Sequence, residues 1–379
     1  MRFALQIFTG AFFSDRSGGA VGEQIRRRLA DTVSRIDVSD VIIGWNTDAG
    51  LNAVALDIIR GYGLKAWLWL PVFSEVPPLE SPEPRIGFSG APMEASSAGE
   101  ENFAFVCPSA PVNREFPLRM FDRFFAGLRY DGVFLDKIRQ SSFAGGLEQG
   151  IGCLCERCRA RYGNVGVDMD ALARHVRDGS ARMLPVAREG LRYRFGDRSF
   201  DRYFRAKSDC VTEAVSFLSG AFRQRGLAVG LDVFAPLVAW YTGQDLAALA
   251  ETADFIKPML YLRTYAPAGV PYELDGMRAV AGPETRRALH ALFGAAEDDA
   301  EGCATMQAEA LTRVKCPVWP GFEINRIPGV CGSDPAYTRA STCRYADSGM
   351  RKAVLSWDLL SDTGANIAAL SNGLWNVRE

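Results

Sequence analysis

The stretch that decides the fold is YDGVFLDKIRQ, residues 130–140. Three apolar residues, Val133, Phe134 and Leu135, run straight into Asp136, Lys137 and Arg139. A continuous apolar run suits a strand covered on both faces, as in a parallel sheet. Charges ending such a strand need a place that tolerates them. In a (β/α)8 barrel that place is the carboxyl end of the strands, where the loops build the active site. Asp131 is instead expected to form the Asp-Gly turn into the strand.

Seven further runs of the same kind lie on either side: RFALQIF from Arg2, VSDVIIGWN to Asn46, LKAWLWLPV to Val72, LAVGLDVFAP from Leu227, DFIKPMLYL from Asp254, CPVWPGFEIN from Cys316 and KAVLSWDLL from Lys352. Helical patterns separate them. The clearest spans about 199–225, with Phe200, Tyr203, Phe204, Val211, Val215, Leu218 and Phe222 in steps of three and four before Gly226. A last helix is expected after Thr363. Strands alternating with helices predict an α/β fold, a single (β/α)8 TIM barrel over residues 1–379. Insertions are expected at about 74–111, after the third strand, and about 141–197, after the fourth. The alternative, a doubly wound sheet, would be expected to carry a Gly-rich phosphate loop after the first strand, and FTGAFFSDRSGG matches neither known pattern.

Of the 379 residues, 48% are hydrophobic and the formal net charge is −2, so bulk electrostatic binding to nucleic acid or an anionic membrane is not expected. No apolar run reaches bilayer-spanning length and the N-terminus reads as a strand, which makes the cytoplasm the expected location. The two histidines, His175 and His290, both fall in helical stretches. A Ser-His-Asp triad and a His-rich metal site are therefore not expected. The oligomeric state is left open.

Polar residues recur at the expected strand ends. Asp136 ends the fourth strand, Asp232 the fifth, Glu323 the seventh and Asp358 the eighth, with Lys257 and Tyr261 on the sixth and Trp45 and Trp357 near the second and eighth. Carboxylates with aromatics, and no usable histidine, suit a carbohydrate: glycoside hydrolysis needs two carboxyl groups across the scissile bond. The expected assignment makes Asp136 the nucleophile or charge stabiliser and Glu323 the general acid/base, with Asp232 the competing acid. Lys137, Arg139, Trp45, Lys257, Tyr261, Trp357 and Asp358 would bind substrate. A non-hydrolytic carbohydrate-binding barrel is one alternative. A lyase using Lys137 or Lys257 as a Schiff base is another. No cofactor is expected for catalysis.

The nine cysteines include GCLCERC, with Cys153, Cys155 and Cys158 close enough to ligate one ion. Cys107 is the best fourth ligand for a closed structural zinc site pinning the two insertions. Reduced free thiols or a Cys153–Cys158 disulfide is the other reading.

YDGVFLDKIR resembles the fourth strand of glycoside-hydrolase-like TIM barrels, and GLDVF and DFIKPMLY resemble their fifth and sixth. CPSAPVNREF resembles the stretch that opens the helix before the fourth strand, and GCLCERCRARYG a cysteine insertion after it in some members. The resemblance implies a barrel that acts on or binds carbohydrate, with carboxylate roles for Asp136 and Glu323. The chain departs from the chitinase-like barrels at Ile138, where they carry a glutamate. It also lacks their relatives' Asn-Glu pair after Leu135. The α-amylase-like order is half met, since the fifth strand carries Asp232.

Overall fold

The structure is a computed structural model that describes residues 1–14, 18–77, 80–94, 97–98, 101–178 and 183–371. Parts of both expected insertions, residues 78–79, 95–96, 99–100 and 179–182, lie outside these. Eight strands form a closed barrel: β1 (Arg2–Phe8), β2 (Val38–Gly44), β3 (Lys65–Pro71), β4 (Gly132–Asp136), β5 (Ala228–Phe234), β6 (Phe255–Met259), β7 (Gly321–Glu323) and β8 (Lys352–Ser356). Each pairs parallel with its sequence neighbours, and β8 closes on β1. All eight expected runs became strands, and the chain is a TIM barrel. The long helix expected before β5 spans Arg198–Gln224, and its N-terminus is capped by Asp197, which accepts from the Ser199 amide.

The alternation of side chains along each strand divides the core in two. Leu5, Ile7, Val41, Ile43, Leu68, Leu70, Val133, Leu135, Val229 and Leu231 pack in one cluster with the surrounding helices. Ala4, Ile42, Trp67, Phe134, Phe255 and Val354 form a second cluster inside the barrel. Such large rings fit because β5 leaves room: a Cβ on Gly230 would lie 2.2 Å from the Phe255 ring. Trp319 stacks on the same ring, with centroids 3.5 Å apart.

Near the amino end of the strands, the buried Asp40 carboxylate accepts from Trp67 Nε1 at 2.9 Å and pairs with Lys352 Nζ at 2.5 Å. Lys352 in turn stands 3.9 Å over the Trp319 ring. A carboxylate satisfied in this way belongs to the fold, since both of its oxygens are occupied.

The insertion after β3 contributes a short antiparallel pair, Ser97–Ala98 with Glu101–Asn102. The one after β4 carries helices Leu147–Ile151, Glu156–Asn164 and Met169–Arg177, then a hairpin, Pro185–Glu189 with Arg192–Phe195. Among the described residues, no helix is long and apolar enough to cross a membrane.

Candidate active site

A cavity of about 490 Å³ opens at the carboxyl end of the barrel. Its wall includes Asp136 and Asp232, the last polar residues of β4 and the inward position of β5. The register pairs Leu135 with Leu231, so the two carboxylates follow at one level on adjacent strands. Lys137, Arg139, Tyr261 and Trp357 share this cavity. The structure thus brings together six of the ten residues expected to catalyse or bind substrate.

The two carboxylates have different surroundings. Asp136 accepts from Trp69 Nε1 at 2.9 Å and from the Lys137 amide. Hydrogen bonds to a charged acceptor are strong and hold this carboxylate in place. Asp232 is buried more deeply, and burial pushes its carboxyl up to about 8. The neighbouring Asp136 charge adds to the rise, while Lys257 opposes it. Asp232 Oδ2 accepts from Lys257 Nζ at 3.1 Å; Oδ1 has no hydrogen-bond partner among the described residues.

Lys257 is fully buried and lies behind this wall. Its Nζ also donates to the Tyr261 hydroxyl, and burial lowers its affinity for a proton. Space for it comes from Gly321 on the adjacent strand β7, where a Cβ would lie 2.2 Å from Lys257 Cε. Gly321→Ala is therefore expected to destabilise the fold by about 1–3 kcal/mol, the usual cost of overpacking. A urea unfolding midpoint equal to that of the parent would contradict this packing.

Lys137 is held in place before any ligand arrives. Its Nζ pairs with the Glu75 carboxylate at 2.6 Å and stands 4.4 Å from the Phe103 ring and 4.7 Å from the Trp45 ring. Both members of the ion pair adopt left-handed backbone, with φ of 53° at Lys137 and 62° at Glu75. Strain of that kind costs of order 1–3 kcal/mol per residue and collects at functional sites. Arg139 lies between two rings, 4.5 Å from Phe105 and 4.2 Å from Phe234.

Among the described residues, Glu323, Lys257, Trp45 and Asp358 are not part of the cavity wall. Glu323 is fully buried, and burial raises its carboxyl. Its oxygens accept from the Arg263 amide at 2.7 Å, Thr264 Oγ1 at 3.0 Å and the Tyr337 hydroxyl. It ties the loop after β6 to the helix Pro335–Asp347. Trp45 is buried against Phe8 and Trp69. Asp358 accepts from the amides of Phe8 and Leu360, each at 3.1 Å, and fixes the turn after β8.

Several wall residues were not among the expected substrate ligands. Gln6 and Phe8 come from β1, Trp69 from β3 and Phe103 from the insertion after β3. Gln6 Oε1 accepts from Ser356 Oγ at 2.7 Å, while Nε2 has no partner among the described residues. A signal for Gln6 was present in RFALQIF, where a lone polar residue interrupts an apolar strand.

The cysteines form a separate site. The sulfurs of Cys107, Cys153, Cys155 and Cys158 lie within 4.8 Å of one another. Cys107 is 3.7 Å from Cys155 and 3.6 Å from Cys158. All nine cysteines are free, so the Cys153–Cys158 disulfide is not formed. Hydrogen bonds from its three neighbours hold the Cys155 thiol far below its usual range. A buried group of this kind could hold a metal ion.

No protein-family model matches the sequence, and no curated protein matches it. Solved structures do match. The glycoside hydrolase domain of PgaB (BpsB) from Bordetella bronchiseptica aligns over 97% of this chain and 99% of its own, with a TM-score of 0.57 and 14% identity. The shared fold is a TIM barrel. A class V chitinase from Pseudomonas fluorescens Pf-5 aligns over 97% and 98% of the two chains, at a TM-score of 0.46 and 13% identity. A chitinase from Chromobacterium violaceum ATCC 12472 covers 97% of each chain, at 0.40 and 12%.

Proposed function

We propose that the chain is a glycoside hydrolase in which Asp232 is the general acid and Asp136 the anionic partner. The observation that carries this reading is one cavity holding two carboxylates: burial raises the Asp232 carboxyl, while Asp136 is hydrogen-bonded by Trp69 and the Lys137 amide. Asp232 keeps its proton near neutral pH because burial disfavours its anion. It donates that proton to the glycosidic oxygen as the C1–O bond breaks. Asp136, its anion supported by Trp69 and the Lys137 amide, either attacks C1 or takes a proton from the attacking water. Retention of configuration in the product assigns it the first role, inversion the second. Trp69 and Trp357 offer ring faces to the sugar, Gln6 Nε2 offers a donor to its hydroxyls, and Asp232 Oδ1 is the oxygen left to carry the proton toward the glycosidic bond.

Glu323 is not given the acid role, because its carboxylate oxygens already bind the Arg263 amide, Thr264 and Tyr337. Lys257 is not given a Schiff-base role, because Asp232 and Tyr261 engage its amine and it stands outside the cavity wall. The test is hydrolysis of a panel of aryl glycosides by the purified chain. Turnover of none of them, with the cavity able to bind sugar, would favour a non-hydrolytic barrel.

The four thiols fit a structural zinc ion. A zinc–sulfur bond of about 2.3 Å places tetrahedral sulfurs about 3.8 Å apart, close to the two spacings seen here. Cys107, Cys153, Cys155 and Cys158 would hold the ion, which would pin the two insertions and take no part in the reaction. About one zinc per chain is expected in protein never exposed to chelator, falling to background in Cys155→Ser. Metal analysis of both preparations checks this.

A further inference from the structure

The thiol cluster and the cavity share a stretch of chain. Cys107 ends the run that begins at Phe103. Phe103 is part of the cavity wall and stands over Lys137, and Phe105 stands over Arg139. This run is fastened on both sides. The Val106 amide donates to the Phe73 carbonyl at 2.8 Å and the Cys107 amide to the Glu83 carbonyl at 3.2 Å. Phe73 in turn donates to the carbonyl of Lys137, the residue after Asp136.

Arg85 sits between the cluster and the wall. Its side chain is almost fully buried, and among the described residues it makes no ion pair with a carboxylate. Its Nε donates to the Phe105 carbonyl at 3.1 Å, and Nη1 donates to the Gln149 carbonyl at 3.1 Å. Nη2 donates to the Gln149 side chain. One guanidinium thus joins the insertion after β3 to the insertion after β4. The next residue, Ile86, donates its amide to Cys153 Sγ at 3.5 Å.

A buried cation is costly unless charge of the opposite sign stands near it. Cys153, Cys107 and Glu148 are the neighbours whose negative charge favours the Arg85 cation. A divalent ion held by four thiolates leaves a net charge of −2, so the loaded cluster requires a counter-cation. Arg85 supplies it, and the same side chain grips the backbone of the cavity wall. Loss of the ion would release the four sulfurs from one another, freeing the Cys107 end of the wall run and the Cys153 contact that holds the residue after Arg85.

We propose that the metal-loaded four-cysteine centre, acting through Arg85 and Phe105, sets the wall of the sugar cavity, so that metal occupancy regulates substrate binding. The proposal rests on the glycosidase and zinc readings above, and Arg85 is a positioning residue in it.

The experiment is hydrogen–deuterium exchange on the full chain as purified, after treatment with a zinc-selective chelator, and after zinc is returned. The amides of Val106 and Cys107 are expected to exchange at least about tenfold faster once the metal is gone, and to recover with zinc. The Val72 amide, which donates to the Asp136 carbonyl at 2.9 Å, is expected to stay protected. Metal release that leaves Val106 and Cys107 unchanged overturns the coupling and spares the zinc reading. Loss of protection at Val72 as well also overturns it, because the metal then holds the whole fold. A chain that carries no zinc and takes none up overturns the zinc reading and the regulation together. Arg85→Met supplies a second arm, in which zinc stays bound and KM for a hydrolysed aryl glycoside rises about tenfold or more at unchanged kcat. An unchanged KM would remove Arg85 from the linkage.

Discussion

Replacing Asp232 with Asn is expected to lower kcat by about 10²- to 10⁴-fold on a glycoside with a poor leaving group, the usual contribution of a positioned general acid. The loss is expected to shrink toward parity on aryl glycosides whose phenol leaves without a proton. That contrast separates a proton donor from a residue that merely supports the fold. The pH profile gives a second signature. Burial raises the Asp232 carboxyl to about 8, so its acid form prevails below that value and is lost as pH rises through it. Wild-type kcat is expected to fall on the alkaline side near pH 8, and Asp232→Asn to lack that limb. A variant whose loss is the same for every leaving group, with the alkaline limb retained, would assign the acid elsewhere. Lys257 bears on the position of the limb, because its charge opposes the rise at Asp232.

Asp136→Asn is expected to cost about 10²- to 10⁴-fold as well, but evenly across good and poor leaving groups. Its role begins where charge develops at the anomeric carbon, or where water must be deprotonated, and a better leaving group supplies neither the nucleophile nor the base that is lost. Asn preserves the acceptor for Trp69 Nε1 through its carbonyl oxygen, so the local packing is expected to survive. Unfolding midpoints matched to the parent would show that the loss is chemical. An activity within a few-fold of the parent would remove Asp136 from the mechanism and leave the binding-barrel reading in its place.

The two variants ask different things of neighbouring strands. Asp136 and Asp232 differ in surroundings: one ends its strand in reach of an indole N–H and a backbone amide, while the other is sunk against an ammonium group. Lys137, whose amide serves Asp136, is fixed from the far side by Glu75.

The barrel itself was legible in the order of residues. Eight short apolar runs, each closed by polar residues and separated by helical periodicity, leave few topologies that bury every run on both faces. Asp136 was legible for the same reason, since a charge at the end of a doubly covered strand has to face the barrel mouth. So was the grouping of Cys153, Cys155 and Cys158, where spacing alone brings three sulfurs within reach of one ion.

Tertiary structure decided what local pattern cannot carry. Asp232 and Glu323 look alike in sequence, each a carboxylate between apolar neighbours. Asp232 was turned into the cavity beside Lys257. Glu323 met Thr264 and Tyr337, which arrive from the loop after β6 and from a helix further along the chain. A carboxylate's role follows from which donors saturate it, and those donors lie tens to hundreds of residues away. Gln6, Glu75 and Arg85 went unnoticed on the same ground: each gains its meaning only from partners brought to it by barrel closure or by the folded insertions. The sequence by itself determined where strands end and which residue types gather there; only the closed barrel decided which of them face one another, because proximity across a barrel is set by register and shear and leaves no trace in local composition.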